Sequence, residues 1–552
     1  MMHKISYLLR LLLPFLLCLH LLTTVSGIDQ WCYKTPYPDP CKRYFINRNG
    51  FRPPTQLSDF RVMLVEAAMH RAISARDALA SSSLNCTDGQ KQAVFADCID
   101  LYGDTIMQLN RTLECMSPKA SCTDFDAQTW LSTALTNTET CRHGTTDFNV
   151  SDFITPIVSK TEISNLMSNC LAVNGALLTA ANNGNRKDFP TWVSGKERRL
   201  LQSQSERAVR ANLVVAKDGS GHVTTVQAAI DVAGRRKVTS GRFIIYVKRG
   251  VYEENINVRR NNDNIMLVGD GMRSTIITGY RSVKDGYTTY NSATAALPFE
   301  NLFHFFTRYV TSGSINACDP GIEGLHFIAK GLTFRNTAGP AKGQAVALRS
   351  SSDLSIFYQC SIEGYQDTLL VHSQRQFYRD CYIYGTVDFI FGNAAAVFQN
   401  CLILPRRPLE GQANVITAQA RAYPFQNTGI SIHNSTILPA PDLIPVIGNV
   451  KTYMGRPWMK YSRTVVLQTY LDSVVCPLGW SPWLKGSDFG LDTLFYAEYN
   501  NIGPASSTSG RVRWKGFHVL NRASDASAFT VGSFIAGTAW LPGTGIPFNS
   551  GL

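Results

Sequence analysis

Between Leu57 and Leu178 apolar residues return every three or four positions. Cys98, Tyr102, Ile106, Leu109 and Leu113 follow steps of four, four, three and four, and Ile163, Leu166, Met167, Cys170, Leu171, Leu177 and Leu178 make a second stripe. A stripe of that period lies on one face of an α-helix and needs a partner to cover it. The spacing predicts at least four helices, near residues 57–81, 90–114, 124–140 and 152–182, packed as an all-α four-helix bundle with Asp124 and Ser151 as N-caps.

The second half keeps a different period. Phe357-Tyr-Gln-Cys360-Ser-Ile362, Phe377-Tyr-Arg-Asp-Cys381-Tyr-Ile383 and Phe398-Gln-Asn-Cys401-Leu-Ile403 repeat one short strand, with 21 and then 20 residues between cysteines. Leu332 to Asn336 and Ile430 to Asn434 echo it. Strands too short to bury their own face, recurring near every 20 residues, signal a solenoid whose coils share one core. A parallel β-helix is expected. A doubly wound sheet would need a helix of a dozen or so residues between strands, and these intervals leave no room.

Composition adds a destination. Lys4 and Arg10 precede an apolar run from Leu11 to Leu22, interrupted by Pro14, and Val25-Ser26-Gly27 supplies small residues for cleavage, so residues 1–27 read as a signal peptide. A retained membrane anchor is the rival reading, although roughly 20 apolar residues are needed to span a bilayer. Export suits the 14 cysteines, which include no CxxC pair. Asn85, Asn110, Asn149 and Asn434 each open a glycosylation sequon, usable only in the secretory route.

The net charge is +12, and from Ser203 onward 33 Lys+Arg face 23 Asp+Glu, a surplus of 33 − 23 = +10. An exported, cysteine-rich chain with no basic helix or aromatic RNA-binding motif is better matched to an acidic polysaccharide than to nucleic acid.

Stacked coils bring matching positions about 4.8 Å apart. Asp367 and Asp388 are 21 residues apart, the same step as Cys360 to Cys381. The two carboxylates should therefore project as neighbours, each raising the pKa of the other, which suits a nucleophile beside a general acid. The same coil spacing falls within the usual Cα separation of a disulfide, so Cys360 and Cys381 are expected to pair. Near the start, Cys32 and Cys41 bracket a turn-rich stretch short enough for one bridge to staple a hairpin. A serine esterase would want Gly-x-Ser-x-Gly, and Gly219-Ser220-Gly221 has the wrong frame. His222, His304, His326, His372, His433 and His518 lack HExxH or paired-ligand spacing, so no metal is expected.

Several separated motifs then agree. Gly364-Tyr-Gln-Asp-Thr-Leu369, Gly385-Thr-Val-Asp-Phe-Ile-Phe-Gly-Asn393 and Gly455-Arg-Pro-Trp458 closely resemble the three signature stretches of pectin methylesterases. Gly339 to Leu348, Gly250 to Glu254 and Gln426 to Gly429 add matches, and Cys32-x-x-Thr35-x-Tyr37-Pro38-x-x-Cys41 before a helical region resembles the inhibitor-type pro-region of the plant enzymes. The resemblance implies a right-handed parallel β-helix that hydrolyses methyl esters of cell-wall homogalacturonan, releasing methanol, with no cofactor. It implies Asp388 as nucleophile, Asp367 as acid and then base, Gln366 with Gln344 as oxyanion donors, Arg456 orienting Asp388, Trp458 against a sugar face and Thr288 in substrate contact. It also implies Cys32–Cys41 and Cys98–Cys141 bridges, with Cys86, Cys115, Cys122 and Cys170 unassigned.

The expected domains are thus 28–195, inhibitor-like and autoinhibitory; 196–211, a linker in which Arg198 and Arg199 of Arg-Arg-Leu-Leu mark cleavage by a processing protease; and 212–552, the β-helix. An inhibitor protein acting in trans is a further expected partner, and the cell wall the expected location. Ala296 to Pro320 departs from the family pattern: about 25 residues intervene, with five aromatics and Cys318. We read this span as translated intron or a gene-model error, the alternative being a surface excursion between coils. Setting aside Cys18 and Cys318 leaves 12 cysteines, an even number. Two other functions stay in view. A β-helical polygalacturonase or pectate lyase would release no methanol, and a lyase would want clustered carboxylates for calcium. A pectin-binding or inhibitory protein would not need Asp367, Asp388, Gln366 and Arg456, all of which are intact.

Overall fold

The computed structural model describes residues 28–46, 52–84, 86–117, 120–159, 162–181, 211–236, 241–258, 262, 264–297 and 326–552. Residues 1–27, the Arg198–Arg199 pair expected to be cleaved, Asn85 and nearly all of the 296–320 span lie outside the described residues.

The N-terminal part is helical: α1 (Pro38–Ile46), α2 (Leu57–Ser83), α3 (Gly89–Cys115), α4 (Asp124–Asp147), α5 (Ser151–Ser159) and α6 (Ile163–Ala181). Leu64, Ala68, Leu101, Leu109, Leu131, Leu135, Met167 and Leu171 meet in one apolar core. Three details differ from the periodicity reading. The cap of α4 is Thr123, not Asp124: the Thr123 hydroxyl accepts from the Asp126 amide while the Asp126 carboxylate accepts from the Thr123 amide, a reciprocal box that leaves Asp124 free to pair with Arg61. Helix α4 continues to Asp147, well past 140. The expected helix over 152–182 is two helices, and Glu162, with φ 52°, turns the chain between them.

Cys32–Cys41 joins a helical turn at 28–32 to α1, so the stapled hairpin is helical, and Cys98–Cys141 ties α3 to α4. A third bridge, Cys115–Cys122, closes the α3–α4 connection.

From Leu213 the chain winds into three parallel sheets of 11, eight and seven strands. The central coils place one strand in each sheet, and matching positions stack: Phe357, Tyr378 and Phe398 are in register with ring centroids 4.8 and 4.5 Å apart, and Ile362, Ile383 and Ile403 are in register in the eight-stranded sheet. The sharp corner between these two sheets is turned by one left-handed residue per coil, at Gln359, Asp380, Asn400, Asn434, Gln468 and Asn500, with φ of 47–57°. Amide and carboxylate side chains tolerate that conformation better than most.

Cys360, Cys381 and Cys401 follow those corners as a buried column, and here the expected Cys360–Cys381 bridge is absent: all three are free thiols. They immediately precede the in-register strands that start at Ser361, Tyr382 and Leu402, and a step of one coil rise between matching positions is longer than the Cβ approach a bridge requires. Each thiol hydrogen-bonds a backbone carbonyl instead, Cys381 to Phe357 at 3.2 Å and Cys401 to Tyr378 at 3.5 Å.

Two of the solenoid's outer faces are covered by other parts of the chain. C-terminal residues Val531, Phe534, Trp540 and Leu541 pack on Met266, Ile356, Phe377 and Val397, covering the 11-stranded sheet. The seven-stranded sheet instead faces the helical bundle, through contacts that are mainly polar. The β-helix keeps its own continuous apolar core, separate from that of the bundle.

Candidate active site

The seven-stranded sheet carries the residues singled out by spacing. Leu369 is in register with Ile390, which puts Asp367 and Asp388 at equivalent positions in adjacent coils, and the Asp367 amide donates to the Val387 carbonyl at 3.0 Å. Both aspartates sit in the left-handed region, with φ of 60° and 52°. A non-glycine residue held there carries roughly 1 kcal/mol or more of backbone strain. The hydrogen bonds on either side hold it: Thr386 donates to the Tyr365 carbonyl, and Leu369 to that of Phe389.

Arg456 follows the strand Thr452–Gly455, two coils further along the same sheet. Its Nε and Nη2 donate to the two Asp388 oxygens at 2.8 and 2.5 Å. Its guanidinium also lies over the Trp483 ring, 4.4 Å from the centroid. Gln344 and Gln366 line the same cavity, of about 350 Å3, together with Asp367, Asp388, Arg456 and Trp458. Trp458 packs on Phe391 at 6.0 Å.

The electrostatics separate the two acids. Burial, and then the charge of Asp388, push the Asp367 carboxyl well above its ordinary value. Burial also raises Asp388, but the two-pronged Arg456 opposes it. Asp367 has no such cation bonded to it, so at intermediate pH the pair holds its proton on Asp367 and its charge on Asp388.

Thr288 does not line that cavity, to which the next two residues, Thr289 and Tyr290, contribute; it is buried, with its hydroxyl donating to Asp97 of α3. That contact opens what periodicity did not reveal. Helix α4 lies along the groove: Arg375 donates to Asp126 at 2.8 Å, Asn393 to Thr136 at 2.8 Å, Thr140 hydrogen-bonds His372 at 2.9 Å, and the Thr289 amide donates to Asp147 at 2.9 Å. His143 packs at a tilt on Trp458, 5.4 Å between centroids, and burial lowers its pKa to about 3, so a neutral ring covers that indole. Thr129, Ser132, Thr136, Thr140, His143 and Asp147 are spaced three, four, four, three and four apart. This is a helical stripe of hydroxyls and other polar groups, as regular as the apolar one, and a readable signal of a buried polar interface.

Comparison with known proteins places this geometry. A family model described as Pectinesterase matches residues 212–312 and 310–538, two pieces that meet within the atypical span. The chain belongs to the pectinesterase family. A second model, Plant invertase/pectin methylesterase inhibitor, matches residues 26–173. Among similar proteins is the Arabidopsis thaliana "Probable pectinesterase/pectinesterase inhibitor 59", 77% identical over 563 aligned residues that cover 100% of this chain and 99% of the relative. Pectinesterase 2 of Citrus sinensis is 48% identical over 526 residues, 95% of each. The solved pectin methylesterase from carrot is 49% identical with a TM-score of 0.56; its whole length accounts for 63% of this chain, the size of the β-helix without the bundle. The reaction is therefore the demethylesterification of pectin, on a right-handed parallel β-helix preceded by an inhibitor-like helical region. This decides against the glycosidic-cleavage and purely binding readings. Plant pectinesterases act on the cell wall. Among the described residues no helix is long and apolar enough to cross a membrane.

Proposed function

We propose that the pectinesterase reaction runs through a covalent acyl-enzyme, a mixed anhydride on Asp388. The ionised carboxylate attacks the C6 carbonyl carbon of a methylated galacturonate, and Asp367 gives its proton to the departing methoxide, releasing methanol. The Gln366 amide, helped by Gln344, donates to the oxyanion of the tetrahedral intermediate. Asp367, now charged, takes a proton from water as the water attacks the acyl group, and collapse frees the product as its carboxylic acid, which loses its proton to solvent, and restores the Asp388 carboxylate. Trp458 receives a sugar face, and Thr288 contacts the polymer. The observation that carries this reading is the bidentate Arg456 on one of two stacked, buried acids.

Arg456→Lys tests it through pH. A lysine cannot reproduce the fork, so the Asp388 pKa should rise. Activity needs Asp388 charged and is lost as pH falls through its pKa, so the acid limb of the rate profile should move to higher pH by about one unit. An acid limb that stays in place while rate falls would assign Arg456 a purely structural part. Gln366→Ala should lower kcat about 10²-fold with KM little changed. A rise in KM at constant kcat would instead make Gln366 a ground-state binding group.

The helical domain is read as autoinhibitory, since α4 occupies the groove over Trp458 and the acid pair. Its release would follow cleavage at Arg198–Arg199 in the 196–211 linker by a processing protease on the way to the cell wall, with residues 1–27 removed as a signal peptide. Asn110, Asn149 and Asn434 are exposed and available as glycan acceptors. Changing both arginines to Ala and examining the secreted product tests the cleavage: a product still lacking residues 28–195 would refute it.

A further inference from the structure

Tyr365 and Gln366 are neighbours in the chain but line different cavities. Gln366 and Asp367 line the catalytic one. Tyr365 lines a second, of about 590 Å3, beside Glu363 and Tyr384 of the eight-stranded sheet, and none of the groups assigned to the reaction lines it. There its ring meets Arg406, which follows the strand Leu402–Pro405 one coil beyond the coil that carries Asp388. The Arg406 guanidinium lies 3.9 Å from the Tyr365 ring centroid, with Nη2 donating to the Tyr365 hydroxyl at 2.8 Å and Nη1 to the Gly364 carbonyl at 3.2 Å. Its Nε donates to Asp442 at 3.0 Å, and its backbone amide to the Gly385 carbonyl at 2.7 Å.

These contacts fall on both turns that aim the acids. Gly364 and Gly385 occupy matching places, each one residue after the in-register Glu363 and Tyr384. Neither place admits a side chain: a Cβ on Gly364 would come within 2.7 Å of Thr368 Oγ1, and one on Gly385 within 2.1 Å of the Phe389 Cβ. Each turn ends on an aspartate in the left-handed region, a conformation that persists only where the surroundings fix it. In the first turn the Tyr365 and Gln366 carbonyls accept from the amides of Thr386 and Ala345, and the Gly364 carbonyl accepts from Arg406. A partly exposed ion pair such as Arg406–Asp442 adds little to stability by itself, so the bonds of Arg406 to the turn act chiefly on its geometry.

We propose that Arg406 is a positioning residue for the reaction: from outside the catalytic cavity it braces Gly364 and Tyr365, so that Gln366 and Asp367 meet the ester in a fixed geometry while Arg406 itself touches no substrate. The proposal rests on the roles given above to Gln366 and Asp367. A planar guanidinium can lie on the ring and donate to the hydroxyl, the carbonyl and the Asp442 carboxylate at once, which a lysine ammonium cannot do. A displacement of about 1 Å at reacting groups can cost about 10²-fold in rate. Loosening one brace among several should cost less than that.

The domain 212–552, which has its own core and whose counterpart in carrot is a complete solved chain, allows the test. Arg406→Ala should lower kcat for methanol release about tenfold and leave KM within about twofold. It should also move the basic limb of the rate profile to lower pH. Asp367 must carry its proton at the start of the cycle, burial is the chief cause that raises its pKa, and a loosened turn lets water reach the carboxyl. The charged groups facing Asp367 are Asp388 and Arg456, with Asp147 of α4 added in the precursor, and the substitution removes none of them. Arg406→Lys, which can keep a pair with Asp442, should recover stability but not kcat. Tyr365→Phe removes only the hydroxyl, and should lower kcat about threefold and add no further loss to Arg406→Ala; it carries the test alone if Arg406→Ala does not fold. A folded Arg406→Ala with unchanged kcat, a rate reduced by one factor at every pH, full kcat in Arg406→Lys or unchanged kcat in Tyr365→Phe overturns the proposal, and a raised KM at constant kcat would make Arg406 a substrate contact instead. Failure of the catalytic reading would look different, as methanol release surviving Asp388→Asn.

Discussion

Asp388→Asn is expected to lower methanol release from methylated pectin by at least about 10³-fold, with the β-helix intact. The amide has nearly the shape of the carboxylate but cannot attack a carbonyl, and the residual rate should be what binding and the oxyanion donors alone supply. Arg456 would lose its anionic partner, so a modest drop in stability is expected from an unpaired, partly buried guanidinium. Asp367→Asn should behave differently. Asp367 carries a proton at the start of the cycle, so its amide mimics the neutral form, but nothing then protonates methoxide or deprotonates water. Trapping separates the two: acyl-enzyme that accumulates on the Asp367 variant and never on the Asp388 variant would fix the roles, and the reverse pattern would exchange them.

Residues 212–552 made without the bundle should release methanol at least about 100-fold faster than an uncut chain carrying Ala at 198 and 199. In the uncut chain the covalent connection makes docking of the bundle an intramolecular event, and α4 lies over the groove with His143 on Trp458 and Thr140 on His372. The interface is rich in polar contacts, with Tyr290 and Tyr423 the β-helix side chains packed on the bundle's apolar core, so separation exposes little of either core. Adding residues 28–195 back in trans should restore part of the inhibition. Equal rates for the cut and uncut forms would mean that the groove opens freely in solution.

Much of this was readable in the residues, for reasons that differ from element to element. The solenoid was legible because its coils repeat one short strand near every 20 residues, too close to admit a crossover helix between strands, and that same period put Asp367 beside Asp388. Arg456 was legible only through its motif, since 68 residues separate it from Asp388 and no local spacing connects them. The Cys360–Cys381 expectation failed because the step between coils satisfies a Cα criterion but says nothing about side-chain direction, and a third cysteine in the same column was equally placed. The bundle's contact with the groove was missed because apolar stripes identify what faces a core, whereas α4 presents hydroxyls, Asp126 and Asp147 to the other domain.

The reach of Arg456 across two further coils bears on biosynthesis. Solenoids can assemble turn upon turn from one end, so the paired acids would be in place well before the guanidinium that orders them. A molecule truncated ahead of Thr452–Gly455 would hold both carboxyls with no cation to sort them, and neither would be primed for attack. Ester-splitting competence is in this way withheld until the ribosome has delivered nearly the whole polypeptide, and abortive products are silent by construction.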